Sequence, residues 1–127
     1  MAKYVDGFVL VVPKNKTAEY KKMAREGAEV WMRHGALEYY ECMGKDLKTK
    51  PMGEMPAALS FNKLTKVKPT ENVWFSFVVY KSRKHRDLVN KKVMDEMNEK
   101  YKDQKDMSMP FDMSKMAYGG FQVEVEG

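Results

Sequence analysis

Apolar positions along this chain follow two rhythms, alternation at every second residue and recurrence at every third or fourth. The stretch "YVDGFVLVVP", Tyr4 to Pro13, reads as a strand, which Pro13 closes by removing a ladder donor. Asn15 then stands where it can cap a helix over "KTAEYKKMAREGAEVWMRH", in which Tyr20, Met23, Ala24, Gly27, Val30 and Trp31 form one stripe. Gly35, just after His34, suits the left-handed backbone that ends such a helix. A second strand follows in "ALEYYECM", Ala36 to Met43. The connection 44–70 is lysine-rich and broken by Pro51, Gly53, Pro56 and Pro69, with a helical turn expected at 56–59 and extended chain at Ser60–Phe61. The third strand is "NVWFSFVVY", after which Ser82 caps a helix whose stripe is His85, Val89, Val93, Met97 and Tyr101. A loop with one short turn, "DMSMPFDMSKM", leads into a last strand, "AYGGFQVEVE". The order β-α-β-β-α-β predicts one α+β domain over 1–127. It is ferredoxin-like, a four-stranded antiparallel sheet with two helices on one face.

Two helices cover one face of such a sheet, and the other face ordinarily alternates toward polar residues. Here both faces are apolar. Val73, Phe75, Phe77 and Val79 oppose Trp74, Ser76, Val78 and Tyr80; Val5, Val9 and Val11 oppose Tyr4, Phe8, Leu10 and Val12. The uncovered face exceeds the patch a monomer usually tolerates, so the sequence predicts a homodimer whose sheets pack into a dimeric α/β barrel. The competing expectation is that the 44–70 connection folds back over the bare face. Asp6, Trp74, Ser76, Tyr80, Tyr118 and Gln122 are expected on the uncovered face. There they would bring hydroxyls and amides to an apolar cavity fit for a small organic ligand.

Composition changes this picture little. A net charge of +5 invites nucleic acid, but the lysines are interleaved with Asp and Glu and match no recognition motif, which argues against it. No apolar run reaches the ~18 residues of a membrane span, and "MAKYVDGF" lacks the pattern of a secretory signal. The single cysteine, Cys42, excludes an internal disulfide, reads as a small buried hydrophobe, and fits a cytoplasmic protein.

Candidate chemistry is sparse. Of the two histidines, His34 suits a helix C-terminus, with Glu38 or Glu41 as possible proton partners, and His85 lies on an apolar stripe beside Tyr80. Arg83, Lys84 and Arg86 crowd a helix N-terminus against its dipole. They either hold an anion with the free N–H groups or stand solvated, with Arg83 relieved by Asp87. Met107, Met109, Met113 and Met116 cluster without a cysteine or histidine, which favours packing over a metal site. No phosphate-binding glycine loop or zinc spacing is present, so no metal and no cofactor is expected. Gly119-Gly120 inside a strand signals close approach by something bulky, Trp74, Trp31 or a ligand.

In order, "YVDGFVLVVPKNK", "HGALEYYEC", "VWFSFVVYKSRKHRD" and "MPFDMSKMAYGGF" resemble the YbaA-like family of conserved bacterial proteins of unknown function, from about Tyr4 to Val125. The resemblance implies a ferredoxin-like fold in the dimeric α/β-barrel superfamily and carries no catalytic residues with it. Met113-Ser114-Lys115 stand where the family has Gly-Lys-Arg, so any anion-binding role of that arginine passes to Lys115 or is absent. The wider superfamily includes cofactor-free monooxygenases, lactone isomerases and haem-handling proteins. By that analogy the chain is an enzyme on a small aromatic or carbonyl compound, with Asp6, Tyr80, His85 and Tyr118 as candidates for proton transfer. The scarcity of bases favours instead a protein that binds a small or anionic ligand through Trp74, Ser76, Arg83, Arg86, Gly119, Gly120 and Gln122.

Overall fold

The computed structural model describes residues 1–104 and 108–127. Four strands, β1 (Tyr4–Pro13), β2 (Glu38–Met43), β3 (Glu71–Tyr80) and β4 (Ala117–Gln122), form an antiparallel sheet in the spatial order β2-β3-β1-β4. Helices α1 (Thr17–Arg33), α2 (Phe61–Thr65) and α3 (Arg83–Lys100) complete the ferredoxin-like α+β architecture. The sheet is open, with β2 and β4 as edges, and is not a closed barrel. The barrel expected from the sequence is corrected on this point: closure requires every strand to have two neighbours, and one chain of four strands leaves two without.

Local chemistry accounts for the helix ends. Ser82 Oγ accepts the His85 N–H at 3.1 Å and starts α3. Gly35 takes a φ of 110° after α1, which a side-chain-bearing residue rarely adopts. Asn15 does not cap α1. It falls within a tight 3-10 turn, Lys14–Lys16, and Thr17 Oγ1 donates back to the Lys14 carbonyl at 2.8 Å. The turn expected at 56–59 lies instead in α2, because Ser60 Oγ accepts the Lys63 N–H and makes the effective cap.

Alternation sorts the strand residues as the sequence predicts. Asp6, Trp74, Ser76, Tyr80, Tyr118 and Gln122 do share one face, as the strand register requires. That face, however, lies beneath α1 and α3. There Val78 and Tyr80 pack with Val30, Val89 and Val93, and Trp74 and Leu10 pack with Tyr20 and Ala24. The expectation that these residues line the bare face is therefore overturned. Trp74 and Tyr80 of the sheet interdigitate with the stripes of α1 and α3 in the interlayer, and the face of Val5, Val9, Phe75, Phe77 and Phe121 is left on the other side.

The outer face is covered at one end only. There α2 rests against β1 and β3, Val11 and Val73 are buried, and Leu47 and Phe61 approach Phe75. The 44–70 connection thus folds back over part of the face. Tyr40, Phe75 and Phe121 stay exposed beside it, with Phe77 between Tyr40 and Phe75 at ring separations of 5.1 and 5.6 Å. Cys42 lies exposed on this same face rather than buried, because edge strand β2 has no neighbour on its outer side. Among the described residues no helix is long and apolar enough to cross a membrane.

Candidate functional site

Between Tyr20 and Trp31, the residues of α1 that face β2 are small: Ala24, Gly27 and Ala28. A Cβ on Gly27 would stand 2.8 Å from the Tyr39 hydroxyl, so this mid-helix glycine is what lets Tyr39 reach in. With little projecting from α1, a cleft of about 390 Å³ remains between helix and sheet. Ala24 and Ala28 form one wall, Tyr39, Glu41 and Met43 of β2 the other, and Trp74 of the central strand β3 the floor. Lys21 and Arg25 stand at the exposed rim.

Within this cleft the polar groups are unevenly satisfied. Tyr20 donates to Glu41 Oε1 and Tyr39 to Glu41 Oε2, each at 2.7 Å. Burial, reinforced by the Glu41 charge, pushes both phenols well above their ordinary pKa, so they remain donors at neutral pH. Trp74 stacks obliquely on Tyr20 with ring centroids 4.8 Å apart. Its Nε1–H is enclosed and finds no acceptor, the one such buried side-chain atom among the described residues. An unmade hydrogen bond of this kind costs about 1–3 kcal/mol. Neither Lys21 nor Arg25 pairs with a carboxylate among the described residues.

A second polar group forms where α3 meets β1 and β4. Buried Asp6 accepts from Arg86 Nη1 at 2.7 Å and from the Tyr118 hydroxyl at 3.2 Å, while Arg86 Nη1 also donates to Tyr118 at 3.0 Å. The guanidinium lies 4.8 Å above the Tyr4 ring, and its Nε donates to Asp87 at 2.8 Å. Burial and then Asp6 raise the Tyr118 pKa. Arg86 is thus occupied by two carboxylates and pinned inward, which relieves the positive charge at the start of α3. Arg83 and Lys84 remain exposed there, and Asp87 relieves Arg86 rather than Arg83.

The other predicted residues fall around these two groups. Tyr80 is buried, accepts from Trp31 Nε1 at 3.1 Å and donates to Asn90 at 3.0 Å. His85 Nδ1 accepts the Lys81 N–H at 2.9 Å, and burial, then Lys81 and Lys92, lower its pKa. His34 pairs with Glu96 of α3 at 2.8 Å, not with Glu38 or Glu41. Ser76 is buried in the row between Glu41 and Phe8, whereas Gln122 is exposed and donates to Glu124. The bulky neighbours of the glycine pair are Tyr4, whose Cε2 lies 2.8 Å from a Cβ on Gly120, and Phe121, 3.4 Å from one on Gly119; neither tryptophan is involved. Lys115 pairs with Glu71 at 3.2 Å. Met116 packs beside Trp74 while Met109 and Met113 are exposed; Met107 lies outside the described residues. No group of three His, Cys, Asp or Glu among the described residues is placed to hold a metal. Sequence reasoning placed Tyr20 only in the apolar stripe and Glu41 only as a partner for His34, and passed over Tyr39, although the alternation of β2 and the run Ala24, Gly27, Ala28 carried the signal.

A family model described as a protein of unknown function, DUF1428, matches residues 3–113. The uncharacterized protein YbaA of Escherichia coli K12 is 38% identical over 124 residues, covering 98% of each chain. The chain belongs to this YbaA-like family of unknown function. YbaA of Shigella flexneri matches it with the same identity and coverage. Among solved structures, a dimeric ferredoxin-like protein from an uncultured marine organism aligns over the whole of both chains with a TM-score of 0.56 and 9% identity, a likeness of fold alone. Neither the family description nor these relatives' names give a reaction, so a functional reading of this YbaA-like chain rests on the clefts and polar groups above.

Proposed function

We propose that this YbaA-like protein is a homodimer that binds a small organic molecule in the α1–β2 cleft of each copy. The observation that carries the reading is the open, mostly apolar cleft itself, floored by Trp74, whose enclosed Nε1–H is left without an acceptor. Ligand sites commonly have this form, an apolar recess of ~300–1,000 Å³ with a few placed polar groups. The binding side is the helix side of the sheet, so the opposite face is left for association. The solved neighbour is described as dimeric, and the same association here would cover Tyr40, Phe75 and Phe121. It would also shield Cys42, whose free thiol fits the reducing cytoplasm. A binding role is preferred to catalysis because, of the candidate acid–base groups, Asp6 and Tyr118 are satisfied by each other and by Arg86, Tyr80 is bonded to Trp31 and Asn90, and His85 is held by a backbone N–H.

The test uses the indole N–H resonance of Trp74, distinguished from that of Trp31 by a Trp74→Phe variant. A panel of small neutral ring compounds, naphthalenemethanol among them, is expected to move this resonance downfield. Ala28→Phe, which fills the cleft from α1, is expected to abolish the response. If no compound shifts the resonance at millimolar concentration, the reading falls.

A further inference from the structure

The charges around the cleft narrow what it can hold. Its lining carries two cations, Lys21 and Arg25, and one carboxylate, Glu41. The two kinds of charge are differently placed. Glu41 has each oxygen taken by a phenol, Tyr20 on one and Tyr39 on the other, and belongs to the wall beside the buried floor. Lys21 and Arg25 lie one helical turn apart on α1, four residues along, so both side chains emerge on the same side of the entrance. They are exposed and have no carboxylate partner among the described residues. A cationic ligand would meet this pair on entry, before Glu41, which keeps its charge but has each oxygen engaged by a phenol. An anion meets two unpaired donors, one of them a fork-shaped guanidinium suited to a carboxylate.

The walls select for shape as well. Ala24 and Ala28 present a low surface on the helix side, and Met43, Tyr39 and the Trp74 ring present polarizable surface on the sheet side. A flat ring is the body that contacts both, and methionine sulfur and indole each gain from an aromatic partner. Beneath it lies Trp74, whose enclosed Nε1–H has no acceptor and meets a hydroxyl or ring oxygen of the ligand once the indole shifts toward the cleft.

Resting on the proposed use of this cleft, we infer that its ligand class is the aromatic monocarboxylate. The ring lies between α1 and β2, the carboxylate pairs with Lys21 and Arg25, and a ring acceptor reaches Trp74. Nothing is transferred and no bond changes. The inference concerns recognition alone, and it assigns specificity to two surface residues that packing does not require.

Calorimetric titration compares naphthoate with hydroxynaphthoate and with the neutral isostere naphthalenemethanol, with the Trp74 indole resonance recorded in parallel. Naphthoate is expected to bind about tenfold tighter than the alcohol, as two exposed ion pairs supply. The Lys21→Glu/Arg25→Glu double variant is expected to erase or invert that preference, and raising salt from about 0.05 to 0.5 M should narrow it in the native chain. Hydroxynaphthoate is expected to move the Trp74 resonance furthest, and in Trp74→Phe its advantage over naphthoate should vanish. If the alcohol shifts Trp74 as strongly and binds as tightly as the acids, the assignment of ligand class fails while the cleft stands. If naphthoate binds tightly in the Ala28→Phe variant, it binds elsewhere and the assignment fails likewise. If acids and alcohol alike leave the Trp74 resonance in place, the cleft itself is no site, and the ligand class goes with it.

Discussion

His85 shows how a single side chain can be chemically suggestive and structurally committed. Its Nδ1 accepts the Lys81 N–H, a bond available only to the imidazole that is unprotonated there, and burial followed by the nearby lysines lowers its pKa. A folded-state pKa below the unfolded one means that the unfolded chain binds the proton more readily. The stability His85 contributes is therefore fully present above the unfolded value and lost as pH falls through the folded one. Urea unfolding between about pH 8 and pH 5 should show native stability exceeding that of His85→Asn at the alkaline end, with the gap closing on acidification through the histidine range. A gap constant with pH would mean that the imidazole titrates equally in both states. The sequence placed His85 correctly on the inner stripe of its helix. It did not disclose the hydrogen bond, because the backbone N–H it accepts belongs to the turn before the helix, whose geometry is set by Ser82.

At the scale of elements, α3 is docked by few apolar contacts. Val89 and Val93 are its fully buried residues, and Met97 and Tyr101 are only half-buried. Arg86 compensates by reaching across to Asp6 of β1, and its side chain is 14% exposed against 3% for Asp6. Removing one member of such a pair strands the other, so Asp6→Ala should lower unfolding stability by about 3 kcal/mol, the low end of the range because Arg86 retains some solvent. The double replacement Asp6→Leu/Arg86→Met should recover most of that loss, since the pair's net worth over an apolar substitute is small. Denaturant midpoints of the three variants decide it. A single-variant loss under about 1 kcal/mol would show a solvated pair. The helix itself was legible from its three- and four-residue spacing, and the crowding of Arg83, Lys84 and Arg86 at its start was visible. That Arg86 turns inward was not, because its partner lies eighty positions away in the chain and only the fold brings them together.

For the whole molecule, the proposed dimer rests on the outer sheet face. Phe75 and Tyr40 flank Phe77 there, and the Phe121 ring lies against Gly119 and Gly7, leaving an aromatic surface that α2 only partly screens. Sedimentation equilibrium is expected to give twice the 14.8 kDa chain mass for the native protein. Phe75→Lys should weaken association about 30-fold or more, as loss of an interface anchor does. Leu88→Lys, on the exposed side of α3, should leave association unchanged. A single-chain mass at every concentration would overturn the dimer. The periodicities alone determined the order of the four strands and the two long helices, the sorting of strand residues into two sets, and the surplus of apolar surface. Each follows from backbone geometry repeating every two or 3.6 residues, a local property. Only the tertiary structure decided which set the helices cover, that the sheet stays open, and that small residues on α1 leave a cleft over Trp74. Alternation has no sign, and a gap between two elements depends on what each of them fails to project.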